Sequence, residues 1–181
     1  MGKAEVSQMD IEHLAVIRQS VRDFIADCAA QYDHSGKVLL DIAPQIYQGA
    51  KEFFKNVTIR SLDIDPKAAA DYTADICVNN SNVIPSGHFD FILCTEVLEH
   101  TLQPFHAVAE MTRMLKKDGL IFLTVPYNFR IHGPLPDCWR FTEHGLRALF
   151  SQLEIVQLTD IPTPGRDLMP IHYRLIAAKR D

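Results

Sequence analysis

Asp41 and Asp63 each close a short apolar run, Val38-Leu39-Leu40-Asp41-Ile42 and Val57-Thr58-Ile59-Arg60-Ser61-Leu62-Asp63. They stand 22 positions apart, the separation at which doubly wound folds set an acid against a ribose. A carboxylate in that place accepts hydrogen bonds from both ribose hydroxyls at once. The plainer reading is that each aspartate caps the turn after it, and for Asp41 both readings stay open. The chain after Asp41 reads Ile42-Ala43-Pro44-Gln45-Ile46-Tyr47-Gln48-Gly49, with Ala43 and Gln45 where a pyrophosphate-binding turn wants glycines. That substitution argues against NAD, and a hydride-transfer reading also lacks a Tyr-x-x-x-Lys pair. A nucleoside ligand without phosphates asks less of the same turn.

These residues need a frame that brings strand ends together. Ser7 with Asp10 reads as a helix start, and Leu14, Ile17, Val21, Phe24, Ile25 and Cys28 recur at helical spacing until Asp33-His34-Ser35-Gly36. The runs ending at Asp41 and Asp63 read as buried parallel strands, Ala74-Asp75-Ile76 as a brief third, and Phe89 to Cys94 as a fourth. Pro104 suits the first turn of a helix with Val108, Met111, Met114 and Leu115 on its inner face, closed by Lys116, Lys117 and Gly119. Leu120 to Val125 is a fifth strand that opens into a long polar and aromatic loop, 127–141. Thr142 can cap a helix carrying Leu146, Leu149 and Phe150, and Leu153 to Leu158 and Tyr173 to Ala178 close the chain as a pair of strands. This order predicts an α/β fold: a Rossmann-like, doubly wound, mostly parallel seven-stranded sheet with helices on both faces and an antiparallel closing strand. Ligands of such sheets bind beyond the carboxyl ends of the strands, which puts the segments after Asp41, Asp63, Ile76, Cys94 and Val125 on one rim. We expect a single domain over 1–181, with an N-terminal helix in 1–35, a cofactor-binding half in 36–126, and a substrate loop and closing strands in 127–181.

The stretches Val38-Leu39-Leu40-Asp41, Ser61-Leu62-Asp63-Ile64-Asp65, Ala74-Asp75-Ile76 and Phe89 to His100 resemble, in order and spacing, the class I S-adenosylmethionine-dependent methyltransferases. Arg113 to Leu120 and Asp137-Cys138-Trp139-Arg140-Phe141-Thr142 are similar to its type 11 branch, and Glu96-Val97-Leu98-Glu99-His100 is the most specific part of the match. The resemblance covers roughly residues 36–150 and departs from the family at Ala43-Pro44-Gln45, where glycines are usual. It implies S-adenosylmethionine as cofactor. By the same resemblance Asp63 takes the ribose hydroxyls, Ile64 lies against the adenine, Asp75 accepts from the adenine amino group and Ile76 packs on the ring. Thr95 and Glu96 fall near the methionine end, with Asp41, Ala43 and Gln45 at the turn beneath it.

Transfer of a methyl group from a sulfonium asks chiefly for alignment of the acceptor, although an oxygen or nitrogen acceptor can also need a proton removed. His100, after the fourth strand, and His132, in the long loop, are the candidate bases; the alternatives are a structural histidine for the first and a surface histidine for the second. Tyr127, Trp139 and Arg140 are candidate substrate contacts, or Trp139 with Phe141 locks the loop onto the core. The four cysteines are too scattered for a zinc site or a disulfide framework, and no metal is expected. A net charge of −5 without a basic cluster excludes a nucleic-acid footprint, and no apolar run suits insertion into a membrane, so a cytoplasmic enzyme is expected. The acceptor is expected to be a small metabolite or a sugar or carrier-linked intermediate, and with only the first helix and the 127–141 loop to form a lid the site is expected to be open and its substrate bulky or carried, or else the site is completed in a homodimer. The other reading is a methyltransferase-like binding or regulatory domain that has lost catalysis with its glycine-rich turn.

Overall fold

The computed structural model describes residues 5–44 and 49–180. Gln45, one of the expected cofactor contacts, lies outside the described residues. The first helix, α1 (Gln8–Tyr32), begins with a capping box: the Ser7 hydroxyl accepts from Asp10 N at 3.1 Å and the Asp10 carboxylate accepts from Ser7 N at 3.3 Å. It buries Ile17, Phe24, Ile25 and Cys28 together with two polar residues, His13 and Ser20.

Seven strands follow: β1 (Val38–Ile42), β2 (Thr58–Asp63), β3 (Tyr72–Thr73), β4 (Phe89–Thr95), β5 (Leu115–Pro126), β6 (Glu154–Ile161) and β7 (His172–Ala178). They form one sheet in the order β3-β2-β1-β4-β5-β7-β6. Pairing is parallel from β3 to β5, and β7 runs antiparallel between β5 and β6, with Leu120 opposite Ala178 and Pro126 opposite His172. The expected seven-stranded, mostly parallel sheet with an antiparallel closing strand is present. Its helices lie on both faces. One face packs α1 and the single turn α2 (Ala50–Phe53) on Leu39, Phe91, Leu93 and Phe122. The other packs α3 (Pro104–Met114) and α4 (Glu143–Leu149) on Leu40, Ile92, Ile121 and Leu175. Thr142 caps α4, its hydroxyl accepting from Gly145 N at 3.0 Å.

Two local expectations are corrected. The third strand lies at Tyr72–Thr73, ahead of Ala74-Asp75-Ile76. The Asp75 carboxylate accepts from Cys77 N at 2.8 Å, a tight side-chain turn that competes with strand pairing. Helix α3 ends at Met114, and Lys116 to Gly119 belong to β5. There the register jumps from Phe89 opposite Leu115 to Phe91 opposite Leu120, and Asp118 takes a left-handed φ of 59°. Lys116 stays in place because its ammonium reaches Asp90 at 2.7 Å.

The strand order reverses between β1 and β4, one leading on to β2 and the other to β5. The crevice beyond their carboxyl ends is therefore the place for a ligand.

Candidate active site

A cavity of about 350 Å³ opens at that switch point. The ends of β1 and β4 supply Asp41, Ala43, Pro44, Thr95 and Glu96 to its walls; α1 supplies residues from Leu14 to Ile25, Arg18 among them; Gly49 and the α2 residues Glu52 and Phe53 line it too, as do His100 and the loop residues Phe129, His132, Gly133 and Pro134. Leu14, Ile17, Val21 and Ile25, which recur at helical spacing in the sequence, thus line the cavity. Its size suits a small molecule.

Asp41 is 3 % exposed, and its Oδ2 accepts from Ala50 N at 2.7 Å, so it fastens the far end of the turn that follows β1. Burial pushes its carboxyl up to about 7, the Ala50 amide opposing the shift. Gly49 is required beside it: its φ is +50°, and a Cβ there would stand 2.3 Å from Asp41 Oδ2. Ala43 occupies a glycine-like position with φ 51°, its amide donating to Leu62 O at 2.7 Å. Left-handed backbone at an alanine costs about 1 kcal/mol, and the turn keeps its shape without a glycine.

Asp63 is buried at the end of β2, with Oδ1 accepting from Asp65 N at 2.9 Å. Ile64 beside it is 66 % exposed, whereas Ile76 is in the core. Asp63, Ile64, Asp75 and Ile76 lie outside the cavity walls, the first two at the end of β2 and the others just after β3.

Glu96 also has a left-handed φ, 54°. Its Oε1 accepts from Thr124 Oγ1 at 2.9 Å and from His172 Nε2 at 2.7 Å. The fully buried His172 ring meets Ser20 Oγ on its other side at 2.8 Å, and Ser20 Oγ accepts from Arg174 Nε at 2.8 Å. This line of polar groups runs from α1 through β7 to the cavity wall and holds the Glu96 carboxylate in place. Neither Ser20, inside the span of the first helix, nor His172, just ahead of the closing strand expected from Tyr173, was singled out in the sequence.

His100 and His132 come together from separate segments, their rings 4.9 Å apart and edge to face. His100 Nδ1 lies 2.9 Å from Pro136 O. His132 Nδ1 is 3.0 Å from Asp137 Oδ2, off the line of a hydrogen bond, while His132 N donates to the same oxygen at 2.9 Å. Burial raises the Asp137 carboxyl, but the Arg140 guanidinium and the His132 amide outweigh it and hold the group down at about 2. Between the two imidazoles sits Glu99, fully buried, its main-chain oxygen accepting from Cys138 N at 2.7 Å and Trp139 N at 3.1 Å. Burial and the nearby Glu96 push its carboxyl well above the usual carboxylate range. Glu99 and Asp137 fell within the matched stretches but were given no role in sequence; adjacency to His100 and a five-residue spacing to His132 were the available signals.

The three expected substrate contacts are engaged elsewhere. Arg140 forks onto Asp137 and donates to the carbonyls of Phe129, Arg130 and Trp139. Trp139 Nε1 donates to Thr101 O at 2.7 Å and its ring stacks on Phe141, which is the loop-locking arrangement. Tyr127 sets its ring on Tyr173 and its amide on Ile171 O. None of the three is among the cavity walls.

The description "methyltransferase domain" matches residues 13–160. No curated protein sequence matches the chain. Among solved structures, the chain is similar to the [4+2]-cyclase SpnF (16 % identity, TM-score 0.70, 99 % of this chain and 85 % of that one). It is similar also to a putative sarcosine dimethylglycine methyltransferase from Galdieria sulphuraria (16 %, 0.68, 91 % and 86 %). A third is the 1,6-didemethyltoxoflavin-N1-methyltransferase of Burkholderia thailandensis with bound 1,6-didemethyltoxoflavin and S-adenosylhomocysteine (17 %, 0.65, 99 % and 93 %). At these identities the likeness is one of fold, while the family match spans most of the chain. The chain belongs to the methyltransferase domain family, as a class I methyltransferase whose cofactor is S-adenosylmethionine.

Proposed function

We propose that the chain, acting as one domain, methylates an oxygen or nitrogen of a small metabolite or of a sugar or carrier-linked intermediate. The observation that carries this reading is the cavity at the β1/β4 switch point, where Asp41, Ala43, Thr95 and Glu96 share walls with His100 and His132. The residues present fit the cofactor. Asp63 keeps one carboxylate oxygen beyond the one bound to Asp65 N, and Ile64 exposes an aliphatic face next to it. The turn at Ala43 is shaped as a glycine would shape it.

When bound, S-adenosylmethionine supplies a methyl group on a positively charged sulfur. A neutral oxygen or nitrogen that accepted this methyl group would have a proton to give up. The chain's task is to align the acceptor and receive that proton. Each imidazole has Nδ1 set against an oxygen, Pro136 O or Asp137 Oδ2, which leaves Nε2 to act. Arg18 on the same wall offers a cation to an anionic carrier.

The test is transfer of a radiolabelled methyl group into the low-mass fraction of a metabolite extract, with the Asp63→Ala chain as control. Label in a small product, lost in the control, supports the reading. Cofactor binding without transfer to any fraction would favour a binding or regulatory domain instead.

A further inference from the structure

Glu99 presents a physical problem that the methyl-transfer reading leaves unsolved. Its side chain is wholly inaccessible, and neither carboxylate oxygen has a hydrogen-bond partner among the described residues. A buried carboxylate in that condition is costly unless a cation or a proton accompanies it. Two imidazole nitrogens face it: His100 Nε2 at 3.7 Å and His132 Nε2 at 3.8 Å from the same Oε1. One ligand atom from each of the three residues lies within 4.8 Å of the others.

We propose that Glu99, His100 and His132 form a binding site for a divalent transition-metal ion at the acceptor end of the cavity. Two imidazoles and one carboxylate are a donor set that borderline ions such as Zn²⁺, Fe²⁺ and Co²⁺ take. With metal–ligand bonds of about 2.1 Å, tetrahedral ligand atoms stand about 3.4 Å apart, so each imidazole need close on Glu99 by only a few tenths of an ångström, while the three ligand atoms now lie within 4.8 Å of one another. The surroundings are those of a ligand set. His100 Nδ1 is hydrogen-bonded with Pro136 O, and His132 Nδ1 stands 3.0 Å from Asp137 Oδ2 off the line of a hydrogen bond, so each ring has its Nε2 toward Glu99. Asp137 is anchored in turn by Arg140, and the main-chain oxygen of Glu99 ties the loop to the turn that carries His100. Both histidines line the cavity, so the remaining coordination positions open toward an acceptor. In this arrangement the cation would acidify an acceptor bound to it, the proton would pass to solvent, and neither Nε2 would serve as a direct base. The absence of metal expected from the scattered cysteines does not bear on this oxygen and nitrogen set.

The site stands on its own geometry, and its test uses the metal alone. The full chain, stripped with chelator, is titrated with Co²⁺ while its visible spectrum and heat are recorded, then with Zn²⁺ in competition. One equivalent bound, with ligand-field bands, no thiolate charge-transfer band, and displacement by Zn²⁺, is the expected result. Glu99→Gln and His132→Ala should each weaken binding at least about tenfold and abolish those bands. Glu99→Gln keeps the side chain's shape and removes a buried charge, so it should fold, as circular dichroism will show. Failure to bind, a thiolate band, or unchanged affinity in either folded variant overturns the proposal. Titration of the metal-free chain with S-adenosylhomocysteine, run in parallel, reports on the methyl-transfer reading separately.

Discussion

At the scale of single residues, the acids at the strand ends divide by burial and partner. Asp63, with one oxygen bound to the next turn, is the one we assign to the ribose. Replacing it by alanine should weaken S-adenosylhomocysteine binding by roughly 1.5–3 kcal/mol, the loss of a charge-assisted hydrogen bond. Calorimetry checks this, and unchanged affinity in a folded variant removes the role. Asp41 carries a different signature. Its carboxyl, ordinarily near 3.8, is raised to about 7, so the folded chain keeps a proton that the unfolded chain has released. Stability should therefore fall as pH rises from about 4 to about 7, by on the order of 4 kcal/mol in all, and be free of this penalty below that window. Asp41→Asn keeps an acceptor for Ala50 N and should flatten that part of the profile; equal slopes of denaturation midpoint against pH in both proteins would contradict it. The strand-end aspartates were legible in the sequence because a parallel strand announces its own end. The isolation of Glu99 was not, because a buried, unpartnered acid has the same letter as a solvated one.

At the scale of elements, the reading of Thr142, of Pro104 and of the two closing strands matched the structure, since caps and apolar periods are local signals. The third strand and the start of β5 did not. Asp75 makes a side-chain turn with Cys77, and Lys116 is drawn to Asp90 across the sheet, and neither partner is visible from local propensity. The loop 127–141 shows the same limit. Its aromatic and cationic residues read as a substrate wall, yet Arg140 is spent on Asp137 and three carbonyls. Arg140→Ala leaves Asp137 buried without its counter-charge, and we expect a loss of about 3 kcal/mol in denaturant unfolding. A loss within a few tenths of a kilocalorie would mean that the loop is held by Trp139 and the Glu99 main chain instead.

At the scale of the whole molecule, the sheet order places β1 and β4 at the reversal, and the proposed contacts with cofactor or acceptor, Arg18 of α1 apart, come from segments that follow strands. The alternation of apolar runs and helical periods was enough to read the sheet. The cavity needed more: α1 crosses over the switch point, and His13 Nδ1 meets Asn128 O of the long loop at 2.8 Å, closing one wall with parts of the chain 115 positions apart. No helix among the described residues is long and apolar enough to cross a membrane. The central claim is that this crevice binds S-adenosylmethionine although Ala43 stands where a glycine is usual. Calorimetric titration of the purified chain with S-adenosylmethionine, S-adenosylhomocysteine and NAD tests it most directly. The account predicts micromolar binding of the first two and none of NAD; binding of NAD, or of none of the three at millimolar ligand, would contradict it.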